Sequence, residues 1–203
     1  MCGNWSCCGG SSPFTHKPSG RLHDLNALVL NGSPVRSGAT AWIAEETALH
    51  LQTRYSVRSV CIDDYRIGFC RGCRACERTA RCVQHDGMDE LMAQLTWADV
   101  LVIVSPSYWA DIPGQLKAFI DRCTPWCDTH QPHASLPGGK RGYTVALRAG
   151  SGMGECRRII ETIEHFYGHM HIACSGSLGL CAVGSRDAAM VRREEIDRFC
   201  SEI

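Results

Sequence analysis

Apolar and polar positions alternate along this chain between two periods. From residue 27 a short apolar run is repeatedly followed by a loop and then by a longer segment of helical period. Ala27–Leu30 is the first run, and Ala39–Thr53 follows with Trp42, Ile43, Ala44, Leu49 and Leu51 spaced as on an amphipathic helix. Val57–Ile62 is the second run. Met88–Trp97 has helical period, and Val100–Val104 is a continuous apolar run of the kind buried on both faces of a parallel sheet. The pattern continues with Gln115–Arg122 as a helix and Tyr143–Leu147 as the fourth strand. Glu155–Met170 is a strong helix, Ile172–Ser177 a weak fifth strand, and Asp187–Cys200 one closing helix. Strands alternating with helices around one apolar core predict a doubly wound α/β sheet, and right-handed crossovers leave few topologies. For five parallel strands the expected order is the flavodoxin-like 2-1-3-4-5.

Length then bounds the organisation: 203 residues supply one well-buried core and little more. Residues 21–203 are expected to form one domain. Met1–Gly20, rich in Gly, Ser and Pro and carrying Cys2, Cys7 and Cys8, is expected to be a flexible tail. Lys+Arg and Asp+Glu both count 21 and are interspersed, so neither a nucleic-acid nor a membrane partner is expected. No apolar run approaches the length of a membrane span, and the first twenty residues lack the charged start and apolar stretch of a secretion signal, which predicts a cytoplasmic protein. The 14 cysteines are then expected to be reduced thiols or metal ligands rather than a disulfide scaffold.

In such a sheet the ligand lies beyond the carboxyl ends of the strands, which directs attention to three loops. After strand one, Asn31-Gly32-Ser33-Pro34-Val35-Arg36-Ser37-Gly38-Ala39-Thr40 leads straight into a helix. Its hydroxyls, the amides near Gly38, the Arg36 cation and the helix N-terminus are the parts of a phosphate site. They would equally serve as a helix cap. Neither Gly-x-Gly-x-x-Gly nor Gly-Lys-Ser/Thr is present, which argues against a dinucleotide fold and against a kinase or ATPase. After strand three, Tyr108 and Trp109 stand on a proline-bounded loop and offer a flat wall to a planar ring, or else pack beneath the next helix. After strand four, the glycines of Arg148-Ala149-Gly150-Ser151-Gly152-Met153-Gly154 permit close backbone approach.

A fourth loop is cysteine-dense. Cys70-x-x-Cys73-x-x-Cys76 followed by Cys82 places four thiols within thirteen residues, enough to wrap one soft metal centre. Buried small side chains, a zinc site or reversible disulfides would use the same residues. Arg71, Arg74, Arg78 and Arg81 lie between the thiols and would offset thiolate charge or remain solvated. His130 and His133 in a Pro-rich loop, and His165, His169 and His171 around a helix end, are further metal-capable groups, although surface and capping roles are commoner.

Taken together, Gly32-Ser33-Pro34-x-Arg36-x-Gly38-x-Thr40, the stretch from Ser105-Pro106-x-Tyr108 to Asp121-Arg122, and the Cys70–Cys76 spacing resemble the NAD(P)H-dependent FMN reductases and their relatives the iron–sulfur flavoproteins. The resemblance covers about residues 27 to 180. It implies FMN phosphate contacts from Ser33, Arg36, Gly38 and Thr40 around Ala39, which stands where the family often has Asn. Ring contacts are implied from Pro106, Ser107, Tyr108, Trp109 and Ala110, with Gly150 and Ser151 nearby. A hydride would pass from NAD(P)H to the flavin, whose N5 carries the chemistry, so no amino-acid acid or base is named. The acceptor would be a quinone, a nitro or azo compound, a metal ion or free flavin. One alternative is an electron carrier with a [4Fe–4S] cluster on Cys70, Cys73, Cys76 and Cys82 and a redox partner protein. Another is a non-catalytic binding module. Homodimers or homotetramers are what the resemblance implies for assembly.

Overall fold

A computed structural model describes residues 25–203, so the expected tail and its Cys2, Cys7 and Cys8 lie outside the described residues. The elements run β1 (Asn26–Asn31), α1 (Ala39–Leu51), β2 (Ser56–Cys61), α2 (Cys76–Thr79), α3 (Gly87–Trp97), β3 (Val100–Pro106) and α4 (Gly114–Arg122). They continue with β4 (Arg141–Leu147), α5 (Gly154–His169), β5 (Ala173–Leu180), α6 (Arg186–Met190) and α7 (Arg193–Ser201), and short 3-10 turns occupy Ile62–Asp64 and Thr124–Trp126. All five strands are parallel, in the order β2-β1-β3-β4-β5 that the sequence pattern predicts.

Both faces of the sheet are covered, which explains the unbroken apolar runs. Successive side chains on a strand point to opposite faces. Leu28, Leu30, Leu101 and Ile103 therefore pack with Leu91, Phe119 and Ile159 of α3, α4 and α5. Val29, Val102 and Val104 pack with Trp42 and Ile43 of α1 and Ile196 of α7. Gly142 in β4 is required by close approach: a Cβ there would lie 2.6 Å from the buried Tyr167 ring. None of the described helices is long and apolar enough to cross a membrane.

Two boundaries differ from expectation. β5 continues three residues beyond Ser177, because Leu178–Leu180 pair with Val145–Leu147. The single closing helix is instead two, broken at Val191-Arg192. Arg192 turns back to donate to the Cys181 carbonyl at 2.9 Å while gripping Glu195, so a tertiary contact overrides the local helical period.

Candidate functional site

The loop after β1 is braced by its own polar groups. The Ser33 amide donates to Asn31 Oδ1 at 3.0 Å, the Val35 amide to Ser33 Oγ at 3.1 Å, and the Gly32 amide to the Val104 carbonyl at 2.8 Å. A Cβ on Gly32 would lie 2.8 Å from Leu116 Cδ2 and 3.1 Å from the Val104 carbonyl, so only glycine lets the loop sit down on α4. This bracing sets the start of α1 at the carboxyl edge of the sheet. Gly38 is its N-cap and supplies no side-chain acceptor, the first turn holds no acidic residue, and the first intrahelical bond runs from the Trp42 amide to the Gly38 carbonyl. The amides of Ala39, Thr40 and Ala41 thus precede the first intrahelical donor, and no acidic residue of that turn neutralises the positive end of the helix dipole. That is a seat for an anion.

The same helix end opens on a cleft of about 240 Å³ lined by Ser33, Gly38, Ala39, Thr40, Pro106, Ser107 and Tyr108, with Arg148, Ala149, Val183 and Gly184 closing the other side. An adjoining cleft of about 300 Å³ shares Ser107, Arg148 and Ala149 and adds Trp109, Ala110, Gly150 and Glu155. Residues of the loops after β1 and β3 therefore meet, as the topology requires. Tyr108 and Asp111 exchange backbone hydrogen bonds at 2.8 and 3.1 Å across a tight turn whose central residues, Trp109 and Ala110, both have positive φ, 53° and 62°. The turn holds the Trp109 ring fully in solvent, so it does not pack beneath α4.

Two expected contacts are not at this site. Arg36 points away from the cleft and pairs with Asp63 and Asp64 at the end of β2, because two carboxylates outcompete a helix end for its guanidinium. Ser151 is exposed and lines neither cleft, since the chain turns outward at Gly150 to start α5.

The cation in the cleft is Arg148, which the residue pattern did not single out. It pairs with Glu155 Oε1 at 3.0 Å and donates to the Gly152 carbonyl at 2.9 Å, while Ser107 donates to Glu155 Oε2 at 2.5 Å. Its Nε is buried without a partner among the described residues. A Cβ at Gly150 would fall 2.4 Å from the Arg148 guanidinium, so that glycine makes room for it. An arginine just past a strand's carboxyl end, with a glycine two residues on, was the available signal.

Cys70, Cys73, Cys76 and Cys82 line one small hollow with Arg71, Arg74 and Arg122. No three of the four thiols come within 4.8 Å of one another. A tetrahedral zinc, with Zn–S bonds of about 2.3 Å, would hold its sulfurs under ~4 Å apart, so the thiols as placed do not form a closed single-ion site. Burial raises the Cys76 pKa. The hollow's floor is Arg122, whose buried guanidinium donates to the Gly68 carbonyl at 2.8 Å, the Gln84 carbonyl at 3.2 Å and both Asp86 oxygens at 2.8 and 3.2 Å. One side chain on α4 thereby ties both ends of the cysteine loop. Burial alone would raise the Asp86 pKa, but hydrogen bonds from Arg122 and the Gly68 and Met88 amides bring it down to about 2.

The family model described as NADPH-dependent FMN reductase matches residues 25–178. An iron-sulfur flavoprotein of Archaeoglobus fulgidus is 32% identical over 132 residues, covering 64% of this chain and 58% of that protein. Iron-sulfur flavoprotein MJ1083 of Methanocaldococcus jannaschii is 27% identical over 145 residues, covering 70% of this chain and 72% of that one. The chain thus spans just over half of the first relative and nearly three quarters of the second. Among solved structures, Smu.1420 from Streptococcus mutans UA159 superposes with a TM-score of 0.68 at 16% identity, covering 88% of this chain and 100% of that one. An FMN-dependent NADH-azoreductase from Bacillus anthracis, solved with FMN, gives 0.64 at 13% identity, covering 87% and 98%.

Proposed function

The chain belongs to the NADPH-dependent FMN reductase family, and from that premise we propose that it is an FMN-dependent oxidoreductase that takes a hydride from NAD(P)H and reduces a small-molecule acceptor. The observation that carries this reading is the uncapped, non-acidic start of α1 opening into the cleft bounded by Pro106–Tyr108 and Arg148. The α1 amides with Ser33 and Thr40 would hold the phosphate, and Pro106, Ser107 and Tyr108 would border the ring. The orphaned Nε of Arg148 offers a donor to a polar ring edge or phosphate oxygen. Bound flavin would supply two-electron hydride chemistry and one-electron release. The exposed Trp109 ring would be the stacking surface for nicotinamide or a planar acceptor such as a quinone, azo or nitro compound. Assembly as a homodimer or homotetramer belongs to the same proposal and is read by sedimentation.

The test is titration of the purified chain with FMN, followed by NADH and NADPH oxidation with a panel of acceptors under anaerobic conditions. One FMN per chain and acceptor-dependent oxidation are expected. Absence of FMN binding would end this reading and leave a binding module.

A second reading adds a [4Fe–4S] cluster on Cys70, Cys73, Cys76 and Cys82, which would relay single electrons from the flavin to a partner protein. Supporting it are the four thiols around one cation-lined hollow, their close spacing in the sequence, and the relatives named iron-sulfur flavoprotein. Anaerobically purified protein would then carry iron and sulfide and a broad absorbance shoulder lost in air. Flavin bands without iron would exclude it.

A further inference from the structure

The loop after Trp126 and the end of α5 bring together donor groups that neither reading uses. His165 and His169 are four residues apart on one face of α5, and His171 follows the helix end. Against them lie Cys127 and Asp128. The Cys127 thiol, an Asp128 oxygen and an imidazole nitrogen of His169 lie mutually within 4.8 Å, and no other such trio of Cys, His, Asp or Glu occurs among the described residues. His169 Nδ1 is 3.2 Å from Asp128 Oδ1, and His169 Nε2 is 3.2 Å from His165 Nε2. His171 Nε2 is 3.6 Å from the other Asp128 oxygen.

From this geometry we propose that Cys127, Asp128 and His169 bind a divalent ion of the zinc class at a site separate from the flavin cleft. Bonds of about 2.0–2.3 Å to a tetrahedral ion require donor–donor edges of roughly 3.3–3.7 Å, close to the separation between Asp128 Oδ1 and His169 Nδ1. With Nδ1 on the ion, His169 donates its Nε2–H to His165, the outer contact that orients a metal-bound imidazole. The mixed S, N and O donor set suits zinc rather than magnesium or calcium. Cys127 and His169 border a cavity of about 440 Å³, so the fourth coordination position opens on space that a water or small ligand can enter.

Because Cys70 lines that cavity too, the test starts from a full-length protein with Cys70, Cys73, Cys76 and Cys82 changed to Ser, stripped with chelator. It is titrated with Zn²⁺ by calorimetry and with Co²⁺ by absorbance. One ion per chain is expected, with a thiolate-to-cobalt charge-transfer band. Cys127→Ser should abolish that band, His169→Gln should weaken Zn²⁺ binding beyond ~100-fold, and His165→Ala should weaken it about 10–100-fold while keeping the band. The proposal is overturned if the background protein binds no Zn²⁺ at micromolar concentration. Equally, binding indifferent to both Cys127→Ser and His169→Gln would place the ion elsewhere. Asp128 and His169 are more than a third exposed, so their replacement spares the core. Should the quadruple variant not fold, the same substitutions in the otherwise unmodified chain must lower the bound-ion count by one.

Discussion

Replacing Arg122 with Met tests whether one buried cation secures the cysteine loop. Met retains much of the side-chain volume but removes the guanidinium donors to Gly68, Gln84 and Asp86, leaving Asp86 only the Gly68 and Met88 amides. The Asp86 pKa falls from 3.8 to about 2, in which the Arg122 hydrogen bonds are the largest favourable contribution. At about 1.4 kcal/mol per unit the shift corresponds to at most ~2.5 kcal/mol, reduced to roughly 1–2 by the partial exposure of the carboxylate. Two carbonyls losing their guanidinium donors add about 1 kcal/mol. A total of about 2–3 kcal/mol should lower Tm by about 4–12 °C in a domain of this size. The folded-state pKa lies below the unfolded one, so this stabilisation is complete above about pH 5 and is lost as pH falls toward 2. R122M should therefore show a flatter acid limb in urea unfolding measured across that window. Its loop should also be cut faster by trypsin at Arg71, Arg74, Arg78 and Arg81. A variant within ~0.5 kcal/mol of the parent, or one with an unchanged acid limb, would refute the clamp.

Three smaller changes probe the rest. Gly38→Asp gives α1 the acceptor and negative charge it lacks, at a φ of −84° that any residue adopts; stability should change by only a few tenths of a kcal/mol, while FMN affinity measured by fluorescence titration should fall ~10-fold or more. Ala110→Gly relaxes a left-handed residue and should raise stability in urea unfolding by about 0.5–1 kcal/mol, with no loss if the turn beside Trp109 is as described. Gly142→Ala drives a methyl into Tyr167 and Ile172 and should cost about 1–3 kcal/mol in the same assay; a neutral result would mean β4 and α5 are not in contact there.

Why some of this was legible in the residues and some was not follows from the range of the interactions. The five strands and their order could be read because burial on both faces demands continuous apolar runs, and Val100–Val104 meets that demand within five residues. The helix start after Gly38 was legible too, since its residues are adjacent in sequence, but whether its hydroxyls cap the helix was settled only by the structure, where no side-chain cap forms. What escaped depended on partners far along the chain. Arg36 reads as a phosphate ligand until β2 delivers Asp63 and Asp64 to it, and Arg148 reads as a loop residue until Glu155 and Ser107 fix its guanidinium in the cleft. The i, i+4 pair His165 and His169 was visible, but its meaning changes only when the fold sets Cys127 and Asp128 against it. Backbone positions at the carboxyl edge thus follow from local pattern, whereas each charged side chain's direction is decided by whichever opposite charge the topology brings nearest. In this chain the bare start of α1 is a property of local sequence, whereas the placement of Arg148 in the cleft is a property of tertiary pairing.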